Sequence, residues 1–497
     1  MNIEEYVKGL YEQTFKEPPD RIVKLADSGS NRQYFRLTGA RGNVIGAFHE
    51  DKRENEAFLS FTRTFRSIGL PVPEILAEDP GGYAYLLTDL GDQTLFSLLS
   101  EMRTTEDRFP DAIRDHYRKV LAILPKFQIR GGQSLDYGKC YPRGAFDRQS
   151  MHWDLNYFKY YFLKLSQIPF DEQALEEDFQ AFMDFLLSAD ASFYMYRDFQ
   201  SRNIMLLEGK PFFIDYQGGR KGPLQYDVAS LLYDAKADIP PGVREEMLEE
   251  YLSELGRLVP GKREEFLFYY PGFILIRILQ ALGAYGFRGY YEKKSHFLQS
   301  IPYALNNLRQ LRKKWQEKGF GVDLPTLFAL LDKMTTDARY EIRETRYSIH
   351  DTRKAKSQKP TANSEKLTVT INSFSYRQGI PVDPTGNGGG FVFDCRALPN
   401  PGRIEEYKML TGKEAPVIDF LSDREEVGRF LKNVTSLVDQ SVSQYLEREF
   451  QHLSVSFGCT GGQHRSVYCA EYLERHLMEQ FDIRIIVSHT NLMNGNE

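Results

Sequence analysis

Asp198, Asn203 and Asp215 are the residues of this chain whose types and spacing suit phosphoryl transfer. They lie in Tyr196-Arg197-Asp198-Phe199-Gln200-Ser201-Arg202-Asn203 and in Phe212-Phe213-Ile214-Asp215-Tyr216. Moving a phosphoryl group onto a hydroxyl needs a carboxylate to orient the hydroxyl and accept its proton, and oxygen ligands to hold Mg²⁺ against the nucleotide phosphates. Asp198 is the candidate base, and Asn203 and Asp215 are the candidate metal ligands. Residues 204–207 and 211–214 are expected to form two strands of a hairpin that fixes their separation. Taken alone, D-x-x-x-x-N also reads as an Asp-Phe turn with an Asn capping a loop, so the flanks decide.

A second block, Gly222-Pro223-Leu224-Gln225-Tyr226-Asp227-Val228-Ala229, follows the second Asp closely. Together the blocks resemble the aminoglycoside phosphotransferase family, with its H-x-D-x-x-x-x-N loop, a metal Asp in I-D-[FWY], and a G-P-x-x-Y-D-x-A helix start that braces the site. Tyr196 stands where that family usually has His, at a position that orients the loop. The resemblance implies an α/β (α+β) bilobal kinase-like fold, with ATP and Mg²⁺ as cofactors.

Elements that would position this chemistry precede it. After an amphipathic first helix, Ser28, Gly29, Ser30 and Arg32 lie in a small, polar loop entering an alternating strand. Short residues there let backbone N–H groups approach a triphosphate. The next strand, Val44-Ile45-Gly46-Ala47-Phe48-His49, lacks the Lys that such a lobe carries to pair with a helix carboxylate; Glu56 is the best helix carboxylate. Tyr83 to Gly91 reads as a strand ending in a Gly turn, and the family hinge falls at Thr88, Asp89 and Leu90, whose backbone groups would bond adenine. Helical periodicity fills residues 111–187, where Phe158, Tyr161, Phe162 and Leu165 read as core. Helices resume at Arg244 and run to about Lys318.

A chain of 497 residues with 41% hydrophobic and 27% charged residues predicts two or more soluble globular domains. A formal charge of −6 argues against general nucleic-acid or membrane-surface binding. Cys140, Cys395, Cys459 and Cys469 show neither metal-ligand spacing nor a disulfide framework, which suits a reducing cytoplasm. The N-terminus carries acids where a signal peptide would be basic. The most apolar stretch, residues 266–282, is interrupted by Pro271, Gly272 and Arg277 and reads as a buried core helix. The expected organisation is a kinase-like domain over residues 1–332 (small lobe 1–90, helical large lobe 91–332), a linker over 333–366 and an α/β domain over 367–497. The basic cluster in the linker reads as a solvated tether.

In the last unit, strands are expected at residues 367–374, 391–396 and 453–458, with a glycine-rich loop at 386–390 and a helix over 423–450. The last strand runs into Cys459-Thr460-Gly461-Gly462-Gln463-His464-Arg465-Ser466 and a helix over 467–478. Strand, glycine turn and helix N-terminus form an anion site through free backbone N–H groups, and Arg465 adds a bidentate phosphate partner. The blocks F-D-C-R-A-L-P-N-P, L-T-G-K, P-V-I-D-F-L and G-C-T-G-G-Q-H-R-S-V resemble the C-terminal domain of the RNase adapter RapZ family. The resemblance implies a glucosamine-6-phosphate ligand held by Arg396, Thr460, Gly461, Gly462, His464, Arg465 and Ser466. An RNA partner is also implied, though this chain lacks that family's basic tail. Cys459 and Arg465 at C-x₅-R also read as a cysteine-dependent phosphatase loop.

The kinase half resembles most closely the branch that phosphorylates N-acetylmuramate and N-acetylglucosamine at the anomeric hydroxyl in cell-wall recycling, through S-x-R-x-Y-F-R, L-L-T-D-L-G and Y-R-D-F-Q-S-R-N with I-D-Y-Q. Two classes stay open: an amino-sugar kinase with an appended sensor, and an RNA or protein adapter whose kinase-like half is a scaffold.

Overall fold

In the computed structural model, the described residues are 2–25, 32–104, 107–337, 367–377, 379–381, 390–448 and 450–490. The chain divides into two compact units, Met1–Arg353 and Lys354–Glu497. Ser28, Gly29 and Ser30, most of the 333–366 linker, residues 386–389 of the glycine-rich loop and the C-terminal tail lie outside the described residues.

The first unit opens with helix α1 (Ile3–Phe15) and a five-stranded antiparallel sheet of β1 (Arg21–Lys24), β2 (Gln33–Gly39), β3 (Gly42–Phe48), β4 (Ile75–Glu78) and β5 (Ala84–Thr88), in the order β1-β2-β3-β5-β4. Successive side chains alternate between faces. Ala84 and Leu86 join Val7, Leu10 and Tyr11 of α1 in one cluster, whereas Tyr85 and Leu87 join the main core. The helix lies so close on the sheet that a Cβ on Gly46 would stand 2.2 Å from Val7 Cγ1. Between β3 and β4 runs α2 (Lys52–Ser67), capped by Asp51, whose side chain accepts the Arg53 N–H. Its buried Phe58, Phe61 and Phe65 face the main core. Each fully buried Phe contributes about 1.5–3 kcal/mol.

A helical lobe follows. The aromatic stripe is only partly core: Phe158 and Phe162 are fully buried, but Leu165 is exposed, because the helix Arg148–Phe158 passes into a π-helical turn, Lys159–Lys164, that shifts the phase. Helix Arg263–Gly286 runs unbroken through Pro271. Continued by a π-helical turn to Tyr291, it is long and apolar enough to cross a membrane, a correction to the shorter span expected, and 67% of its most apolar window is buried inside the protein. Set among these helices are two small antiparallel ladders. One joins β6 (Phe193–Met195) to β9 (Arg220–Gly222), and the other is the hairpin of β7 (Ile204–Leu207) and β8 (Lys210–Phe213).

The second unit is a four-stranded sheet of β10 (Thr368–Ser375), β11 (Phe391–Asp394), β12 (His452–Cys459) and β13 (Arg484–His489), in the order β11-β12-β10-β13, with every neighbouring pair parallel. Buried Val369, Ile371, Val455 and Phe457 form its centre, with Val427, Leu431, Val434 and Val438 of helix Glu425–Glu447 and Leu473 and Leu477 of helix Arg465–Gln480. The strand expected over 391–396 stops at Asp394, because its side chain accepts the Arg396 N–H at 2.9 Å and turns the chain into a 3₁₀ segment.

Candidate active site

The loop from Tyr196 to Asn203 leaves β6 and enters the β7–β8 hairpin, whose register pairs Ile204 with Phe213 and returns the chain to Asp215. The hairpin turns at Glu208 and Gly209, both with positive φ, which suits the twist of a two-residue turn. Asn203 ties the Asp198 backbone to the Asp215 carboxylate: Nδ2 donates to the Asp198 carbonyl O and to Asp215 Oδ2, both at 2.9 Å. Gln217 Nε2 donates to Asp215 Oδ1 at 2.8 Å. Burial, then the neighbouring Asp198 carboxylate, push the Asp215 carboxyl up to about 6, against the pull of Gln217 and Arg32.

Two residues beside these groups hold left-handed backbone, Arg197 (φ 80°) and Asp215 (φ 69°), a conformation that costs a non-glycine residue about 1 kcal/mol or more. The surroundings fix Arg197 on three sides. Its N–H donates to Asp227 Oδ1 at 3.0 Å, its guanidinium grips Asp154 at 2.8 and 2.6 Å, and Nη1 also meets the Tyr226 hydroxyl at 2.7 Å. Asp227, fully buried in helix Leu224–Leu232, also accepts the Tyr196 N–H at 2.9 Å and Gln128 Nε2 at 3.2 Å. Tyr196, at the position of the family's usual His, donates its hydroxyl to Ile214 O at 2.6 Å, so it ties the loop to the segment carrying Asp215. The sequence marked the helix start that carries Asp227 as a brace and gave no role to Asp154 or Gln217.

The small-lobe ion pair differs from expectation. Glu56 is half exposed and pairs with Lys139. The carboxylate that turns inward is Glu54, bonded by Arg32 Nη2 at 2.9 Å, with Arg32 only 2% exposed. Arg32 and Glu54 both lie in electrostatic range of Asp215. The charge that β3 lacks therefore enters from the start of β2. Four residues on from Glu54, Phe58 stacks on Tyr85 and Tyr216, at 5.0 and 5.1 Å between centroids, and four further Thr62 bonds the Tyr216 hydroxyl at 2.5 Å. One face of α2 thus holds Arg32 and the neighbour of Asp215 together.

At the expected hinge, Thr88 N–H donates to Glu74 O at 3.0 Å. The Asp89 carboxylate is bound by Arg36, at 2.5 and 3.1 Å, and by Gly91 N–H at 2.9 Å. Thr88 and the Asp89 side chain are thereby committed within the small lobe, and Leu90 is buried just beyond them.

In the second unit, the carboxyl ends of β10, β11 and β12 converge, the usual place for a ligand on a parallel sheet. Ser375 Oγ donates to Thr460 O at 2.7 Å, and the Arg396 guanidinium lies 4.1 Å above the Tyr376 ring while pairing with Asp394. Gly462 takes φ 69°, and its N–H donates to Cys459 Sγ at 3.2 Å; Ser466 Oγ lies 3.2 Å from the same sulfur. Thr460 and Gly461 are exposed at the loop tip, while His464, Arg465 and Ser466 are buried. His464 Nε2 meets Tyr407 O at 2.8 Å. Arg465 is placed otherwise than the expected bidentate contact, because Nη1 donates to Arg396 O and Leu398 O at 2.9 and 3.0 Å, and its buried Nε has no partner among the described residues.

Residues 21–265 match the model of the phosphotransferase enzyme family, and residues 367–493 match the RapZ C-terminal domain. A nucleotide-binding protein of Aromatoleum aromaticum is 41% identical over 126 residues, which are 25% of this chain and 41% of that protein. A nucleotide-binding protein of Xylella fastidiosa is 30% identical over 211 residues, 41% of this chain and 71% of that one. Among solved structures, a choline kinase from Cryptosporidium parvum Iowa II is similar at a TM-score of 0.44 with 13% identity, covering 66% of this chain and 99% of its own. The chain carries a phosphotransferase enzyme family domain over residues 21–265 and a RapZ C-terminal domain over residues 367–493.

Proposed function

We propose that this protein is an ATP-dependent kinase that phosphorylates an amino-sugar hydroxyl, the anomeric position of N-acetylmuramate or N-acetylglucosamine, and that its second unit senses a phosphorylated amino sugar such as glucosamine-6-phosphate. The observation that carries the reading is the bond pair from Asn203 Nδ2 to Asp198 O and Asp215 Oδ2, both 2.9 Å. It gathers a base and a hard-oxygen donor set in one place. Asp198 orients the acceptor hydroxyl and accepts its proton as the oxygen attacks phosphorus.

The residues fit Mg²⁺. Asp215 sits beside a like charge that a cation would offset, and the Asn203 Oδ1 and the Asp215 carboxylate are ligands of the kind Mg²⁺ takes when nucleotide phosphates complete its shell. When bound, the ion would neutralise charge on the phosphates. The Arg32–Glu54 pair serves the nucleotide side in place of the missing strand Lys.

The second unit supports amino sugars as substrate class, since a sensor fused to an enzyme is useful when both handle one set of metabolites. ADP formation by the purified full chain, with Mg·ATP and a panel of N-acetylmuramate, N-acetylglucosamine, choline, homoserine and an aminoglycoside, tests the reading. Turnover confined to a non-sugar acceptor removes the substrate claim. No turnover with any acceptor moves the protein to the adapter class, with RNA or protein as its partner.

A further inference from the structure

Arg220 opens β9, five residues past Asp215, and is only 7% exposed. Its Nε donates to Gly218 O at 3.0 Å. Among the described residues no carboxylate oxygen lies within 4.0 Å of its guanidinium. The acids in its electrostatic range are Asp198, the candidate base, and Asp154, which is already gripped by Arg197 through two bonds. Burial, then repulsion from Arg197, loosen the hold of Arg220 on its proton. A cation buried without an ion partner is costly, and such a cost is kept where a ligand brings the missing charge.

The position of this cation is specific. Gly218, whose carbonyl holds Arg220, is also the glycine on which an added Cβ would stand 3.9 Å from Asp198 Oδ2. Gly218 thus bonds the guanidinium and lies beside the base, and it carries no side chain to fill the space between them. The other main electrostatic neighbours of Arg220 are Arg197, Asp154 and Tyr226, all in the helical lobe. Those of Asp215 are Asp198, Arg32 and Glu54. Arg220 is further tied to the helical lobe through Lys221, whose N–H donates to Gly144 O at 2.9 Å and whose carbonyl accepts the Phe146 N–H at 2.7 Å. The nucleotide side of the base has its own cation in Arg32, so Arg220 faces the acceptor side.

We propose that Arg220 is a specificity residue that binds a carboxylate carried by the acceptor, which makes N-acetylmuramate, with its lactyl acid, the preferred substrate over neutral N-acetylglucosamine. The proposal rests on the kinase reading above. With Nε committed to Gly218, the two Nη groups present the planar end of the fork that a carboxylate matches. A site built around a charged hydrogen-bond partner rejects the analogue lacking it, because the buried cation is then left unpaired.

The test measures kcat/KM of the full-length protein with Mg·ATP on two acid and neutral pairs, N-acetylmuramate with N-acetylglucosamine and glucuronate with glucose. The wild type is expected to favour the acid member by about 10- to 100-fold. Arg220→Gln should collapse that ratio, and Arg220→Lys should retain part of it. A ratio near one in the wild type, or one that Arg220→Gln leaves unchanged, overturns the proposal. An Arg220-dependent acid preference seen only on glucuronate sustains the role of Arg220 and defeats the amino-sugar reading. Absence of turnover on all four compounds overturns both.

Discussion

Arg32 Nη2 donates to Glu54 Oε1 at 2.9 Å, an ion pair between a buried cation and a helix carboxylate such as a kinase small lobe makes with a strand Lys. Glu56, two residues along α2, lies on the solvent side with Lys139. Glu54→Gln is therefore expected to lower kcat/KM for ATP by about 10- to 100-fold, since a buried guanidinium loses its counter-charge. Glu56→Gln should change it by less than about twofold, because an exposed pair is worth only ~0–1 kcal/mol. Steady-state kinetics on the two variants decides which carboxylate serves the nucleotide, and equal losses would remove Glu54 from that role.

Asp198→Asn keeps the shape of the side chain and removes the proton acceptor. The expected loss in kcat is about 10²- to 10⁴-fold, with Mg·ATP affinity by calorimetry nearly unchanged. Asp215→Ala should do the reverse first, abolishing Mg²⁺-dependent nucleotide binding. A variant at Asp198 that kept a tenth of wild-type turnover would place the base elsewhere.

Asp227 accepts the N–H groups of Tyr196 and Arg197 and one from Gln128. Asp227→Asn sets an amide donor against buried donors, and each unsatisfied group costs about 1–3 kcal/mol. Urea unfolding should show a loss of that order in the first unit. The loop should also lose its left-handed Arg197, so kcat falls even where the variant is folded. Stability equal to wild type would mean that the brace is not Asp227.

The geometry of the loop from Asp198 to Asp215 was legible because its parts are local: Asp198 and Asn203 are five residues apart, and a four-residue strand, a two-residue turn and a second strand must bring Asp215 back alongside. Helix phase separates Glu54 from Glu56. Glu54, Phe58 and Thr62 recur at intervals of four, so the carboxylate in line with the buried aromatic is the inward one. The Arg197–Asp154 clamp spans 43 residues and no periodicity announces it. The scaffold bonds of Arg465 were not legible, because its acceptors, the carbonyls of Arg396 and Leu398, lie 69 and 67 residues away and carry no side-chain signature.

The loop of the second unit offers its own reporter. Burial raises the pKa of Cys459, but the Ser466 hydroxyl, the N–H groups of Ser466 and Gly462 and the nearby Arg465 outweigh it and hold the thiol below its usual value. Burial instead pushes the half-buried Cys140 up to about 11. Since the thiolate is the reactive form, a lowered pKa means more thiolate at a given pH. Cys459 labelling by iodoacetamide should therefore rise through a midpoint below that of an unperturbed thiol, while Cys140 stays unlabelled at pH 8. Ser466→Ala removes a donor to the sulfur and should move the Cys459 midpoint upward. Glucosamine-6-phosphate placed at the same N–H groups covers the sulfur and sets negative charge beside it, and both effects slow labelling. Mass spectrometry of the full chain at pH 8 should show at least about tenfold protection by saturating glucosamine-6-phosphate and none by glucosamine. Equal labelling with and without the phosphosugar would detach this loop from the sensing role. Steady release of inorganic phosphate that is lost in Cys459→Ser would instead make the thiolate a nucleophile and the unit a phosphatase.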